Sequence, residues 1–138
     1  MEQNKITVLA DIAADVNKVW EYWTKPEHIT GWNFATDDWQ CPRAENDLQV
    51  GGRYKARMEA KDGSFGFDFE AIYGEVIDKR KLRYTMDDGR QAITDFDDKN
   101  GRTTVTTTFD ADQTHDPEMQ RAGWQAILDN FKRYVESR

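Results

Sequence analysis

The chain has 138 residues, the length of one domain with room for a sizeable core. Apolar residues make up 38% and charged residues 33%, with five Trp, five Tyr and seven Phe, which excludes a disordered chain. Nineteen Lys and Arg against 26 Asp and Glu leave a net charge of −7, so no broad basic surface exists to hold phosphates, and neither nucleic acid nor an anionic membrane is an expected partner.

Read in chain order, the start MEQNKITVLA lacks the basic and apolar regions of a signal peptide, and no stretch reaches the length of apolar residues that spans a bilayer. A cytoplasmic protein without membrane insertion is expected. Residues 4–11 read as a first strand. Asp15 then caps a helix whose apolar positions Val16, Val19, Trp20 and Trp23 fall at i, i+3, i+4 and i+7. Thr24 with Glu27 three residues later makes a capping-box pattern, and Pro26 suits a first helical turn, so a second short helix is predicted over 26–32.

From residue 36 onward the pattern changes to strands. Cys41 is the only cysteine, so no internal disulfide forms, which fits a reducing compartment. It sits in an apolar–polar alternation that reads as a strand, with no histidine near it in sequence to make it a nucleophile. Asp62-Gly63, Asp88-Gly89 and Asn100-Gly101 supply the positive φ of tight hairpins, and each marks a reversal between antiparallel neighbours. In 53–60, Tyr54, Ala56, Met58 and Ala60 share one face, opposite Arg53, Lys55, Arg57 and Glu59. Phe65, Phe67, Phe69, Ala71 and Tyr73 follow in the same way, and the phase slips at Gly74, where a bulge is predicted. Leu82, Tyr84 and Met86, then Ala92, Thr94 and Phe96, then Thr103, Val105, Thr107 and Phe109 complete an apolar face. One apolar and one charged face imply a sheet covered on one side only.

The last quarter opens with Asp116-Pro117-Glu118 and carries Trp124, Ile127, Leu128, Phe131 and Val135 along one stripe of a helix of about 20 residues, roughly 30 Å long. Gly123 lies on or beside the stripe, where glycine costs about 1 kcal/mol relative to alanine. Its place there implies either a close backbone approach or room left for something else. The order of elements, strand, two helices, about six strands and a long helix, argues against a parallel doubly wound sheet and for an α+β fold in which an antiparallel sheet wraps the terminal helix.

The segments ITVLADIAADVNKVWEYWTKPEHITGW and GWQAILDNFKRYVE, the Gly51-Gly52 pair and the Gly101-Arg102-Thr103 hairpin exit together resemble the SRPBCC, or START-like, superfamily. Within it the chain is most similar to the branch named after the activator of the heat-shock-protein-90 ATPase, over residues 4–136. The resemblance implies a single helix-grip domain over residues 1–138. It consists of a curved seven-stranded antiparallel sheet around the C-terminal helix, with two short helices between strands 1 and 2. It also implies a cavity that takes a hydrophobic small molecule such as a lipid, polyketide or flavonoid-like compound.

Candidate ligand contacts follow from the inward face and the connecting segment: Trp32, Phe34 and Trp39 near a cavity mouth; Met58, Phe67, Phe69 and Tyr84 on the sheet; Gly123, Trp124, Ile127 and Phe131 on the helix. Thr94 and Thr107 would leave hydroxyls on otherwise apolar walls, as small-molecule pockets do. Patterning fixes which face is buried, not whether the space behind it is void or filled.

No catalytic residue, metal site or cofactor is expected. His28 and His115 have no ligand-spaced companions, and the carboxylates cluster at turns. Gly51-Gly52 lacks a phosphate-loop frame. Two other roles remain open. One is a co-chaperone or homodimer contact, through the charged face of Arg53, Arg57, Asp68 and Glu70 or through the aromatics near Trp32 and Trp39. The other is a cyclase or hydrolase, if Tyr73, Tyr84 or Asp95 converge in the cavity.

Overall fold

The computed structural model describes residues 5–138; Asn4, the first residue of the expected opening strand, lies outside the described residues. β1 (Lys5–Ile12) alternates strictly, burying Ile6, Val8, Ala10 and Ile12. Asp15 caps α1 (Val16–Thr24), its carboxylate accepting from Lys18 N at 2.9 Å. The capping box at Thr24 does not form. Thr24 instead ends α1, and its buried hydroxyl donates back to Trp20 O at 2.8 Å, so Lys25 becomes the N-cap of α2 (Pro26–Ile29). That helix is one turn long and not the seven residues expected, the chain passing through turns from Thr30 to Trp32.

The strands that follow are β2 (Trp39–Gln40), β3 (Ala44–Asn46), β4 (Arg53–Ala60), β5 (Gly66–Ile77), β6 (Lys81–Met86), β7 (Gln91–Asp98) and β8 (Thr103–Asp110). All pair antiparallel, in the order β1-β8-β7-β6-β5-β4-β2, with β3 also on β4. β2 and β3 meet different stretches of β4, Trp39 opposite Ala60 and Ala44 opposite Ala56, so they are two pieces of one edge. The sheet is therefore seven positions wide, as a helix-grip fold has it. Cys41 does not continue a strand; it lies buried in the break between these pieces.

Asp62-Gly63, Asp88-Gly89 and Asn100-Gly101 each stand at a reversal, the last with φ of 57° and 94° at its two residues. A fourth reversal, between β5 and β6, uses Lys79 at φ 60° and carries no glycine to announce it. The register slips between Tyr73 and Glu75, as the phase change at Gly74 predicts. On the outer face the charges pair among themselves: Arg53 with Glu70 at 2.8 Å, and Arg57 with Glu59 at 3.1 Å and Asp68 at 3.7 Å. The two glycines on this face give the arginines room, since a Cβ at Gly66 or Gly74 would stand 2.6 Å from a guanidinium nitrogen of Arg57 or Arg83.

α3 (Pro117–Glu136) starts where expected, with the Asp116 carboxylate accepting from Glu118 N at 3.0 Å. It runs beside β1, tied by Gln125 Nε2 to Leu9 O at 3.0 Å and by the Glu136 carboxylate to Ala13 N at 2.9 Å. On its other flank Asn130 Nδ2 donates to Phe34 O. The C-terminal half of α3 is sealed: Phe131 is fully buried with its ring edge-on to Trp23 at 4.9 Å and Trp32 at 4.8 Å. Nearer its start, Trp124 lies half-buried and stacks flat on Phe109 at 4.0 Å.

Candidate functional site

Between the open half of α3 and the concave face of the sheet lies a cavity of about 290 Å³. Its floor is the inward face of β4 to β6, with Tyr54, Met58, Phe69 and Tyr84. Thr94 of β7 and Thr107 of β8, direct cross-strand partners, form the back wall beside Val8. Trp124, Ile127 and Leu128 of α3 close the roof, and Trp23, Trp32 and Asn33 close the end toward the short helices. Phe67, 42% exposed, stands at the rim and is part of the opening to solvent.

Nine of the thirteen expected contact residues come together here, and four do not. Phe34 does not line the cavity; its ring packs, partly buried, against the core and its carbonyl is engaged by Asn130. Trp39 sits on the edge strand and packs outside with Phe65 and Phe67, ring centroids 6.0 and 6.2 Å away. Phe131 is one turn too far along α3 and belongs to the solid core. Gly123 lines no wall, and a Cβ placed on it would meet nothing within 4 Å, which excludes the close backbone approach considered for it.

Trp23, Asn33, Tyr54, Val8, Leu128 and Arg90 line the cavity without having been among those contacts. Inward alternation marks Tyr54, and the helical stripes mark Trp23 and Leu128. Asn33 and Arg90 carry no such signal, because loop geometry alone turns them inward.

The polar groups are few and mostly arranged among themselves. Thr94 and Thr107 hydroxyls share a hydrogen bond at 2.9 Å. Asn33 Nδ2 donates to Tyr54 Oη at 3.0 Å. Arg90, at the rim, is held by Asp88 at 2.8 Å. Burial pushes the phenols of Tyr54 and Tyr84 well above the ordinary range, and at Tyr54 the neighbouring Tyr84, Tyr73 and Cys41 add to it. Both are neutral at any physiological pH.

Among the described residues no Asp, Glu, His, Lys or Cys lines the cavity. Of the residues whose convergence would indicate catalysis, only Tyr84 is present. Tyr73 donates away to Asn46 Oδ1 at 2.8 Å, and Asp95 is exposed on the other face of β7. His28 stacks on Tyr22 and bonds Tyr134 Oη at 2.9 Å, while His115 lies exposed beside Asp112. Cys41 is pushed up to about 11 by burial, which leaves its thiol protonated and unreactive. Among the described residues no group of His, Cys, Asp or Glu is placed to hold a metal ion, and no helix is long and apolar enough to cross a membrane.

Residues 13–136 match the family model described as Activator of Hsp90 ATPase homolog 1-like protein. The chain belongs to this family. A solution structure of an AHSA1-like protein from Aeromonas hydrophila is 46% identical, with a TM-score of 0.92 over 97% of this chain and 93% of that one. A Cytophaga hutchinsonii protein is 42% identical, with a TM-score of 0.83 over 96% of this chain and 92% of that one. A Chromobacterium violaceum protein, only 22% identical, shares the fold at a TM-score of 0.86 over 96% and 98% of the two chains. No curated protein matches the sequence. The family and its helix-grip architecture agree with the resemblance drawn from the sequence.

Proposed function

We propose that this member of the family binds a hydrophobic or aromatic small molecule, of the lipid, polyketide or flavonoid-like kind, in the cavity under α3. The observation that carries the reading is the cavity itself: about 290 Å³, walled largely by aromatic and aliphatic side chains with a few placed hydroxyls. That size stands at the lower end of small-molecule pockets, which run from about 300 to 1,000 Å³. Among the described residues no carboxylate, imidazole, amine or thiol stands in the walls, which favours binding over turnover.

A chaperone contact through the charged outer face is less well supported. Its arginines are already satisfied by Glu59, Asp68 and Glu70 within the same sheet, so a partner would have to break those pairs to gain its own.

The test is a titration against lipids and aromatic polyketides, followed by the side-chain indole resonances. The expected result is saturable shifts at Trp23, Trp32 and Trp124, with Trp20, buried outside the cavity, unmoved. Shifts confined to Trp39 would place any binding at the outer aromatic edge and refute the cavity.

A further inference from the structure

Two side chains in the cavity walls hold more hydrogen-bonding capacity than the fold uses. Tyr84 Oη has no partner among the described residues, yet no buried side-chain oxygen or nitrogen is left unpartnered. Its hydroxyl therefore opens onto the void. Tyr54 Oη accepts from Asn33, which uses a lone pair and leaves its own hydrogen free to donate.

The two phenols also converge. β4 and β6 are separated by β5, so their backbones stand nearly 10 Å apart at about 4.8 Å per strand spacing. The Tyr54 and Tyr84 rings nevertheless lie 5.9 Å apart between centroids at 30°. Ala71 of β5, opposite Tyr54 and fully buried, is small enough to let the rings lean together over it.

From this placement we infer that Tyr54 and Tyr84 form a two-donor clamp for one uncharged oxygen acceptor, a ketone or ester carbonyl, on an otherwise apolar ligand. The inference rests on the proposed use of the cavity and narrows its ligand class. Among the described residues an amine-bearing ligand finds no carboxylate in the walls. Among the described residues a carboxylate finds no free cation in the walls, since Arg90 is engaged by Asp88. Placing an uncompensated charge there is costly, whereas a carbonyl needs only the hydrogen that each phenol already offers. Leaving such a donor unmatched is also costly, so a hydrocarbon of the same shape is disfavoured.

Three probes separate the possibilities: benzophenone, its carbonyl-free counterpart diphenylmethane, and the anion diphenylacetate. Binding is measured by calorimetry, with the indole resonances of Trp23, Trp32 and Trp124 reporting the site. Benzophenone is expected to bind about 30-fold more tightly than diphenylmethane, the worth of two net hydrogen bonds at about fivefold each. Tyr84→Phe, which keeps the ring and its packing, should cut that advantage to about fivefold, the share left to Tyr54, and leave diphenylmethane unchanged. The carbonyl stretch of bound benzophenone should fall below its position in an apolar solvent and move part of the way back in Tyr84→Phe, a change that a purely structural role would not produce.

Equal affinity for benzophenone and diphenylmethane, insensitive to Tyr84→Phe, would overturn the clamp while leaving the cavity as a binding site. Tighter binding of diphenylacetate would overturn the choice of an uncharged acceptor. If none of the three probes moves the indoles, the cavity reading fails and the clamp fails with it.

Discussion

Gly123 is the residue whose structural cost is least offset by its surroundings. It sits mid-helix in α3, half-buried, with no neighbouring atom within 4 Å of where a Cβ would be. Close packing is therefore not the reason for it, and neither is a positive φ, since its backbone is helical. Gly123→Ala should accordingly stabilise the protein by about 0.5–1 kcal/mol, the helix-propensity difference together with the reduced freedom of the unfolded chain. Urea denaturation followed by circular dichroism checks this, and a loss of stability would mean that the space beside Gly123 is filled in solution. Phe131 is the opposite case. Its ring is enclosed by Trp23 and Trp32, and its position on the apolar stripe was enough to place it in the core but not to say on which side of the cavity boundary it falls.

Among the elements, α3 depends most on carboxylates at its two ends. Asp112, before the helix, accepts from Thr114 N–H and hydroxyl and lies beside His115, while its backbone N–H donates to Gln120 Oε1 at 2.7 Å. Those contacts, led by the Thr114 N–H, hold its carboxyl well below the usual range. Glu136, at the other end, is held low chiefly by Ala13 N–H, which outweighs burial, with Lys132 adding to the effect. A carboxyl whose pKa is lower in the folded state contributes stability that is complete above its unfolded value and is lost as pH falls through its folded value. Acidification from pH 5 to pH 2 should therefore loosen the ends of α3 before the centre of the sheet. Amide exchange should rise first at residues 117–120 and 133–136, ahead of β5 and β6, and Glu136→Gln should remove the pH dependence at the C-terminal end only. Simultaneous exchange throughout would show that α3 is not a separable unit. The helices and long strands were legible because one periodicity dominates each. Thr24 was misleading because a hydroxyl that can cap the next helix can equally bond back to Trp20 O in its own. The Lys79 turn was invisible because a lysine rarely marks a left-handed position.

At the scale of the whole molecule the cavity is a cost to the free protein. At about 24 cal/mol per Å³, a sealed void of this size forfeits roughly 7 kcal/mol, comparable to the net stability of a small domain. The opening at Phe67 admits water and makes that an upper bound. Alternation of residues along the strands told which side chains face α3, but volume depends on how far rings such as Tyr54 and Tyr84 lean and on where Asn33 and Arg90 turn in, and these are set by tertiary packing. A protein that retains such a space is exchanging stability for occupancy. Ile127, half-buried on the roof and lining the void, is the place to reverse that exchange. Ile127→Phe adds a ring into the cavity at almost no change in helix propensity. It should hold or raise the melting temperature while weakening benzophenone binding by at least tenfold, by calorimetry on the same sample. A melting temperature that falls by several degrees, as overpacking by 1–3 kcal/mol would cause, together with unaltered probe binding, would show that the space under α3 is already occupied by its own side chains and that the ligand lies elsewhere.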